Sequence, residues 1–249
     1  MANLKAKTPC FGRLSEILIT GGNMKRLYGV MGLCIALGLS ACGGGSSGSI
    51  STPSFPLKSA YSTLVANGYT KTYTVSGTCS GTASEMVAPA KPGAIFEGTP
   101  GFSADSTVTI SLTNCTQATT TATLTSYYDT NYTPLGFNVV GGDYGVYLTP
   151  AVIPVSAVVG DSGIIGTVTT YTNSTKTTPT GREDVSYAVG PDAVNTAIVN
   201  LTFKIYDPAG VLGSTEQDRY RITTDGVITP VSKTVEDVST PITINLTFQ

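Results

Sequence analysis

Histidine is absent from all 249 residues, and so is tryptophan. Without an imidazole the chain can build no Ser-His-Asp triad, no Cys-His nucleophile pair and no histidine-ligated catalytic metal. Catalysis would fall to paired carboxylates, a Ser/Lys arrangement or tyrosine. Long apolar runs are missing too. The nearest to one, Leu27 to Leu39, is uncharged but only thirteen residues long. As a helix it reaches about 20 Å, short of a hydrocarbon core of roughly 30 Å, so a permanent helical span is not expected there.

What surrounds that run is informative. Met24-Lys25-Arg26 precedes it, Leu39-Ser40-Ala41-Cys42 ends it, and the chain then turns to Gly and Ser. A basic start, a short apolar segment and small residues before a cut make an export signal. Leu39-Ser40-Ala41-Cys42 closely resembles the lipobox of bacterial lipoproteins, over residues 24–49. The resemblance implies that the Cys42 thiol receives a diacylglycerol, that the bond before it is cut, and that the new amino group is acylated. Gly43 in place of Asp at the next position implies, in a Gram-negative source, the outer membrane. An ordinary secretory signal that happens to hold a cysteine is the alternative. Residues 1–23 fit no part of a signal. Gly21-Gly22-Asn23 directly precedes Met24, and Gly-Gly codons can spell a ribosome-binding sequence, so translation is expected to start at Met24 with 1–23 a misassigned extension.

Processing changes the charge. The 14 basic and 16 acidic residues of the whole chain become 9 and 15 once Lys5, Lys7, Arg13, Lys25, Arg26 and Glu16 are removed, and the formal charge moves from −2 to −6. Such a chain repels phosphate backbones and anionic lipid surfaces, so nucleic acid is not an expected partner. Membrane attachment would come through the lipid on Cys42, where two or more acyl chains hold firmly. Of five cysteines, Cys79 and Cys115 remain beside Cys42. Two thiols exported to an oxidising compartment are expected to pair. Two free buried thiols or a metal pair are the alternatives, the latter without a histidine to complete a zinc site.

Residues 42–56 form a Gly/Ser/Pro tether. Beyond it the dominant period is two. Val108, Ile110 and Leu112 alternate with Thr109, Ser111 and Thr113. Ala197, Val199, Leu201, Phe203 and Ile205 oppose Asn200, Thr202 and Lys204, and Ile242, Ile244, Leu246 and Phe248 oppose Thr243, Asn245 and Thr247. This is the pattern of antiparallel strands with one face in a core and one in water. The fold class is all-β, an antiparallel sandwich or meander. The one short helix expected puts Leu57, Tyr61 and Leu64 on one side. Turns are expected at Gly141-Gly142-Asp143, Gly160–Gly163, Thr178–Gly181, Asp207–Gly210 and Asp225-Gly226. Six strands follow residue 164. Pro150 and Pro154 suggest a seam, giving two β units, 57–150 with the disulfide and 151–249; a single barrel or sandwich of some 190 residues is the alternative.

Candidate functional residues are few. Tyr127, Tyr128, Tyr132, Tyr144 and Tyr147 fall in or beside turns and make a possible binding surface for a protein or glycan. Glu85, Glu97, Glu183 and Glu216 are acids of a type that cleaves glycosides, but no spacing selects two of them, and no enzyme or cofactor is inferred. Asp143, Asp161 and Asp225 beside glycines suit tight turns better than a calcium site. Arg219 and Arg221 share one strand face, suited to an anion or to cross-strand acids. Five Asn-x-Ser/Thr triplets, at Asn114, Asn131, Asn173, Asn200 and Asn245, read as accidents of a threonine-rich chain. The expectation is a lipid-anchored envelope protein with a structural or binding role. The alternative is a carrier whose meander curls around an apolar cavity.

Overall fold

The structure, a computed structural model, describes residues 52–113, 115, 119–238 and 242–248. The export signal, Cys42 and most of the tether lie outside them. In chain order the elements are β1 (Ser54–Phe55), α1 (Leu57–Asn67), β2 (Tyr69–Gly77), β3 (Gly81–Val87), β4 (Lys91–Phe96), β5 (Thr99–Leu112), β6 (Thr119–Asp129), β7 (Pro134–Val139) and β8 (Tyr144–Tyr147). After these come β9 (Ala157–Val158), β10 (Ser162–Tyr171), β11 (Pro179–Pro191), β12 (Thr196–Tyr206), β13 (Leu212–Thr223), β14 (Ile228–Asp237) and β15 (Ile242–Phe248). The fold is all-β, and α1 is the short helix that the spacing of Leu57, Tyr61 and Leu64 predicts.

The sheet closes on itself. Its order runs β3-β2-β15-β14-β13-β12-β11-β10-β8-β7-β6-β5, every neighbour antiparallel, and β5 pairs back onto β3. The result is a twelve-stranded barrel. β4 adds a hairpin arm to the outer end of β5, and β1 pairs with β9 in a separate two-stranded ribbon. The strands after residue 161, β10 to β15, form the six-stranded meander expected. The division into two β units is corrected. β8 bonds directly to β10 through Tyr147↔Val168 to Tyr144↔Tyr171, so the sheet runs on across residues 148–155. The two prolines lie in a loop whose Ala151 is buried in the core shared by Phe137, Val168, Val185 and Phe203. One hydrogen-bonded ring with no free edge holds both halves. The ring and the Cys79–Cys115 disulfide are built from described residues downstream of residue 51.

Alternation decides the faces. Outside, hydroxyls and amides pair across strands: Thr109 with Thr121 at 3.0 Å, Thr167 to Asp184 at 2.9 Å, Asn200 to Gln217 at 3.1 Å, Thr234 to Asn245 at 3.1 Å. Inside stand Tyr73, Ile110, Phe137, Phe203, Ile222, Ile244 and Leu246, all essentially without solvent contact. An outer-membrane barrel needs an apolar band outward. Here the apolar side is inward, which suits a barrel with water outside.

Twelve strands enclose more room than the eight whose side chains just fill a barrel. One end is filled from outside the wall. β1, α1 and the 151–157 loop insert Phe55, Leu57, Ala60 and Ala157 against Val189, Ala197, Val199 and Ile222. The helix then crosses the opening, and Val65 meets Ala104 and Tyr128 on the far side. Gly68 ends it with a left-handed φ of 63°, its N–H donating to the Leu64 carbonyl at 2.9 Å. A Cβ there would fall 2.2 Å from the Val87 carbonyl oxygen, so only glycine lets the chain turn straight into β2. At the other end the Cys79–Cys115 disulfide, Cα atoms 5.7 Å apart, ties the β2–β3 turn to the β5–β6 connection.

The turns at Asp207–Gly210 and Asp225-Gly226 are present, with Gly210 N–H donating to the Asp207 carbonyl and Gly226 N–H to that of Thr223. Gly141–Asp143 joins β7 to β8. Gly160 and Asp161 join β9 to β10, where Asp161 accepts from the Val158 N–H at 2.9 Å. Thr178–Gly181 is a correction. The reversal sits at 172–178, and Gly181 is already inside β11 at a register shift, with φ 149° and the Tyr206 carbonyl pressed close.

Candidate functional site

Under α1 the lumen is not filled. A cavity of about 80 Å³ remains. A single water takes ~10–15 Å³ of such space, so several waters or a slender organic group would fit. Its roof is α1, with Tyr61, Leu64 and Val65. Its walls come from both halves of the ring, and among the described residues no charged side chain lines it. Aliphatic residues dominate; hydroxyls of Tyr69, Tyr128, Tyr147, Tyr187, Tyr220, Ser106 and Ser126 supply the polarity. Ser106 is 5% exposed, and its Oγ has no hydrogen-bond partner in the protein.

Beside this cavity is a buried ionic cluster. Lys233 of β14 places Nζ 2.7 Å from Asp218 Oδ2 on the adjoining β13 and 3.1 Å from Glu85 Oε1 on β3, two strands beyond its other neighbour. The Tyr73 hydroxyl donates to Glu85 Oε2 at 2.8 Å. Burial raises the pKa of Glu85; Lys233 opposes that rise, and Asp218 adds to it. Burial also works to lower Lys233, yet Asp218 and Glu85 together hold it well above the ordinary lysine value. The group is a brace between distant strands. Its one cation is fully engaged by two carboxylates.

The five tyrosines do not form one surface. Tyr128 and Tyr147 point inward and line the cavity. Tyr127 and Tyr144 point outward and stack on Phe96 of the β4 arm, ring centres 4.4 and 5.3 Å away. Tyr132 stacks on Phe102 at 4.6 Å. The single exposed patch read from the sequence is therefore corrected: Tyr128, Tyr144 and Phe96 are buried. The four glutamates also separate. Glu85, Glu183 and Glu216 are buried on inward faces, whereas Glu97 lies outside, ion-paired with Lys176 and accepting from the Tyr144 hydroxyl at 2.7 Å. The Lys176 and Tyr144 hydrogen bonds hold Glu97 below the usual carboxylate range. Arg219 and Arg221 share the outer face as expected. Arg221 engages Asp192 at the β11–β12 turn, 2.7 Å, and with the Thr196 hydroxyl holds that carboxyl down to about 2.

Lys233 and Ser106 escaped the reading of the sequence. Asp218 alternates with Tyr220 and Ile222 on one strand face, the one local pattern from which its burial could have been read. No protein-family model, curated protein or solved structure matches the chain significantly.

Proposed function

We propose that this protein is a carrier that holds a small apolar ligand within its barrel, exported and tethered to the bacterial envelope by a lipid on Cys42. The observation that carries the reading is the apolar cavity roofed by α1 inside a barrel whose outer wall is polar. Ligand pockets are commonly concave, mostly apolar and furnished with a few placed polar groups, and β-barrels offer them in their mouths. The tether supports the anchoring half. Eleven residues separate Cys42 from Ser54, which enters the plugged end beside α1. At roughly 5–6 Å times the square root of the length, that is about 20 Å of typical reach, enough to keep the mouth near a bilayer. The alternative, a structural or binding role, cannot use all five tyrosines as one patch, because Tyr128 and Tyr147 line the cavity.

Titration with an environment-sensitive apolar fluorophore tests the carrier reading. One saturable site is expected, lost in Ala104→Phe, which fills the cavity from its β5 wall. No saturable site, or an unchanged site in Ala104→Phe, would refute it. Cys42→Ser tests the anchor separately: loss of detergent-phase partitioning is expected.

A further inference from the structure

We infer that the cavity selects an uncharged alkyl ligand whose hydroxyl or carbonyl head hydrogen-bonds to Ser106, and turns fatty carboxylates away. The inference deepens the carrier reading and rests on it. Ser106 stands on the inward face of β5, its register partners being Val87 of β3 and Leu124 of β6, neither of which offers a polar side-chain atom. A hydroxyl can donate once and accept twice. A buried one left without a partner is rare enough in native proteins to need a reason. An alcohol or carbonyl oxygen arriving in the cavity supplies that partner, and the surrounding aliphatic side chains take the hydrocarbon.

Charge sets the other half of the selection. A carboxylate moved out of water must meet a cation or a set of donors to be tolerated. Among the described residues no cation lines this cavity. The nearby one, Lys233, is buried against Asp218 and Glu85 and has no uncompensated charge to offer. Glu85 itself lies close to Ser106: its register partner is Val108, which makes Ser106 its diagonal neighbour, a spacing of ~7–8 Å in an antiparallel pair. An anionic head at Ser106 would therefore approach a carboxylate.

Calorimetric titration of the full chain carrying Cys42→Ser, with n-octanol, octanoate and toluene at a pH well above carboxylic-acid ionisation, tests this. Octanol is expected to bind at least about tenfold more tightly than octanoate, the factor that one lost or repelled polar contact gives. Ser106→Ala is expected to weaken octanol roughly three- to tenfold and leave toluene, which has no polar head, unchanged. Octanoate binding as tightly as octanol overturns the selectivity while the carrier reading stands. Unchanged octanol affinity in Ser106→Ala removes Ser106 as the anchor. If none of the three probes binds, the carrier reading falls, and this inference with it.

Discussion

Replacing Lys233 by methionine removes the one positive charge from a cluster that holds two buried carboxylates. The lysine side chain is 4% exposed, and those of Glu85 and Asp218 are 2% and 1% exposed, so solvent does little to screen what remains. Breaking a buried ion pair from one side typically costs about 3–5 kcal/mol, a large share of the 5–15 kcal/mol that holds a domain folded. For a body of nearly 200 residues this is roughly a 6–20 °C fall in Tm, at about 2–4 °C per kcal/mol. Urea unfolding at neutral pH with the disulfide intact measures it. The pH dependence gives an independent check. Burial already raises Glu85 in the folded protein, and Lys233 is the main influence opposing it. An acid whose folded pKa is raised contributes stability below its ordinary pKa and loses it as pH rises through the raised value. Without Lys233 that rise is steeper, so the deficit of Lys233→Met should be small near pH 4 and grow toward neutrality. Glu85→Gln with Asp218→Asn in the same chain should restore most of the loss, since a cluster without ions has no uncompensated charge. A deficit below about 1 kcal/mol at neutral pH, or one equal at both ends of the range, would refute the reasoning.

Other outcomes follow from the wall. Cys79→Ala with Cys115→Ala opens a loop of 36 residues and should cost about 3–4 kcal/mol in non-reducing denaturation, a difference that vanishes under reductant. Gly145→Ala would set a Cβ 1.8 Å from the ring of Phe137, which is fully buried, and should cost about 1–3 kcal/mol or more by chemical denaturation. Ser106→Ala removes a hydroxyl that has no partner in the protein, so the ligand-free stability should stay level or rise slightly in the same assay.

Much of the fold could be read from local chemistry. The strict alternation of 197–205 and 242–246 tells which residues face inward, and Asp207–Gly210 and Asp225-Gly226 place their reversals. Closure was another matter. Whether β8 bonds to β10 across Pro150 and Pro154, or β5 returns to β3, depends on register between segments far apart, and two prolines in a loop look the same within one sheet or between two. Gly181 misled because a glycine needed for a close backbone approach inside a strand resembles one needed for a turn. The tyrosines could have been sorted by parity alone. Tyr127 and Tyr128 are neighbours, and Tyr144 and Tyr147 are three apart, so neither pair can share a strand face. Alternation also cannot tell a filled interior from a hollow one; only the twelve-strand count and the fit of α1 reveal the space left over. Nothing in the local sequence marks Lys233 as buried; its register against Asp218 does.

A carrier needs its lumen to be a place for a ligand. Non-denaturing mass spectrometry of the protein purified from its native source tests that most directly. A bound species of defined mass is expected, released on unfolding and recovered as an uncharged, solvent-extractable compound. A protein that flies at its bare mass, and stays bare after incubation with a total lipid extract of the same cells, would contradict it.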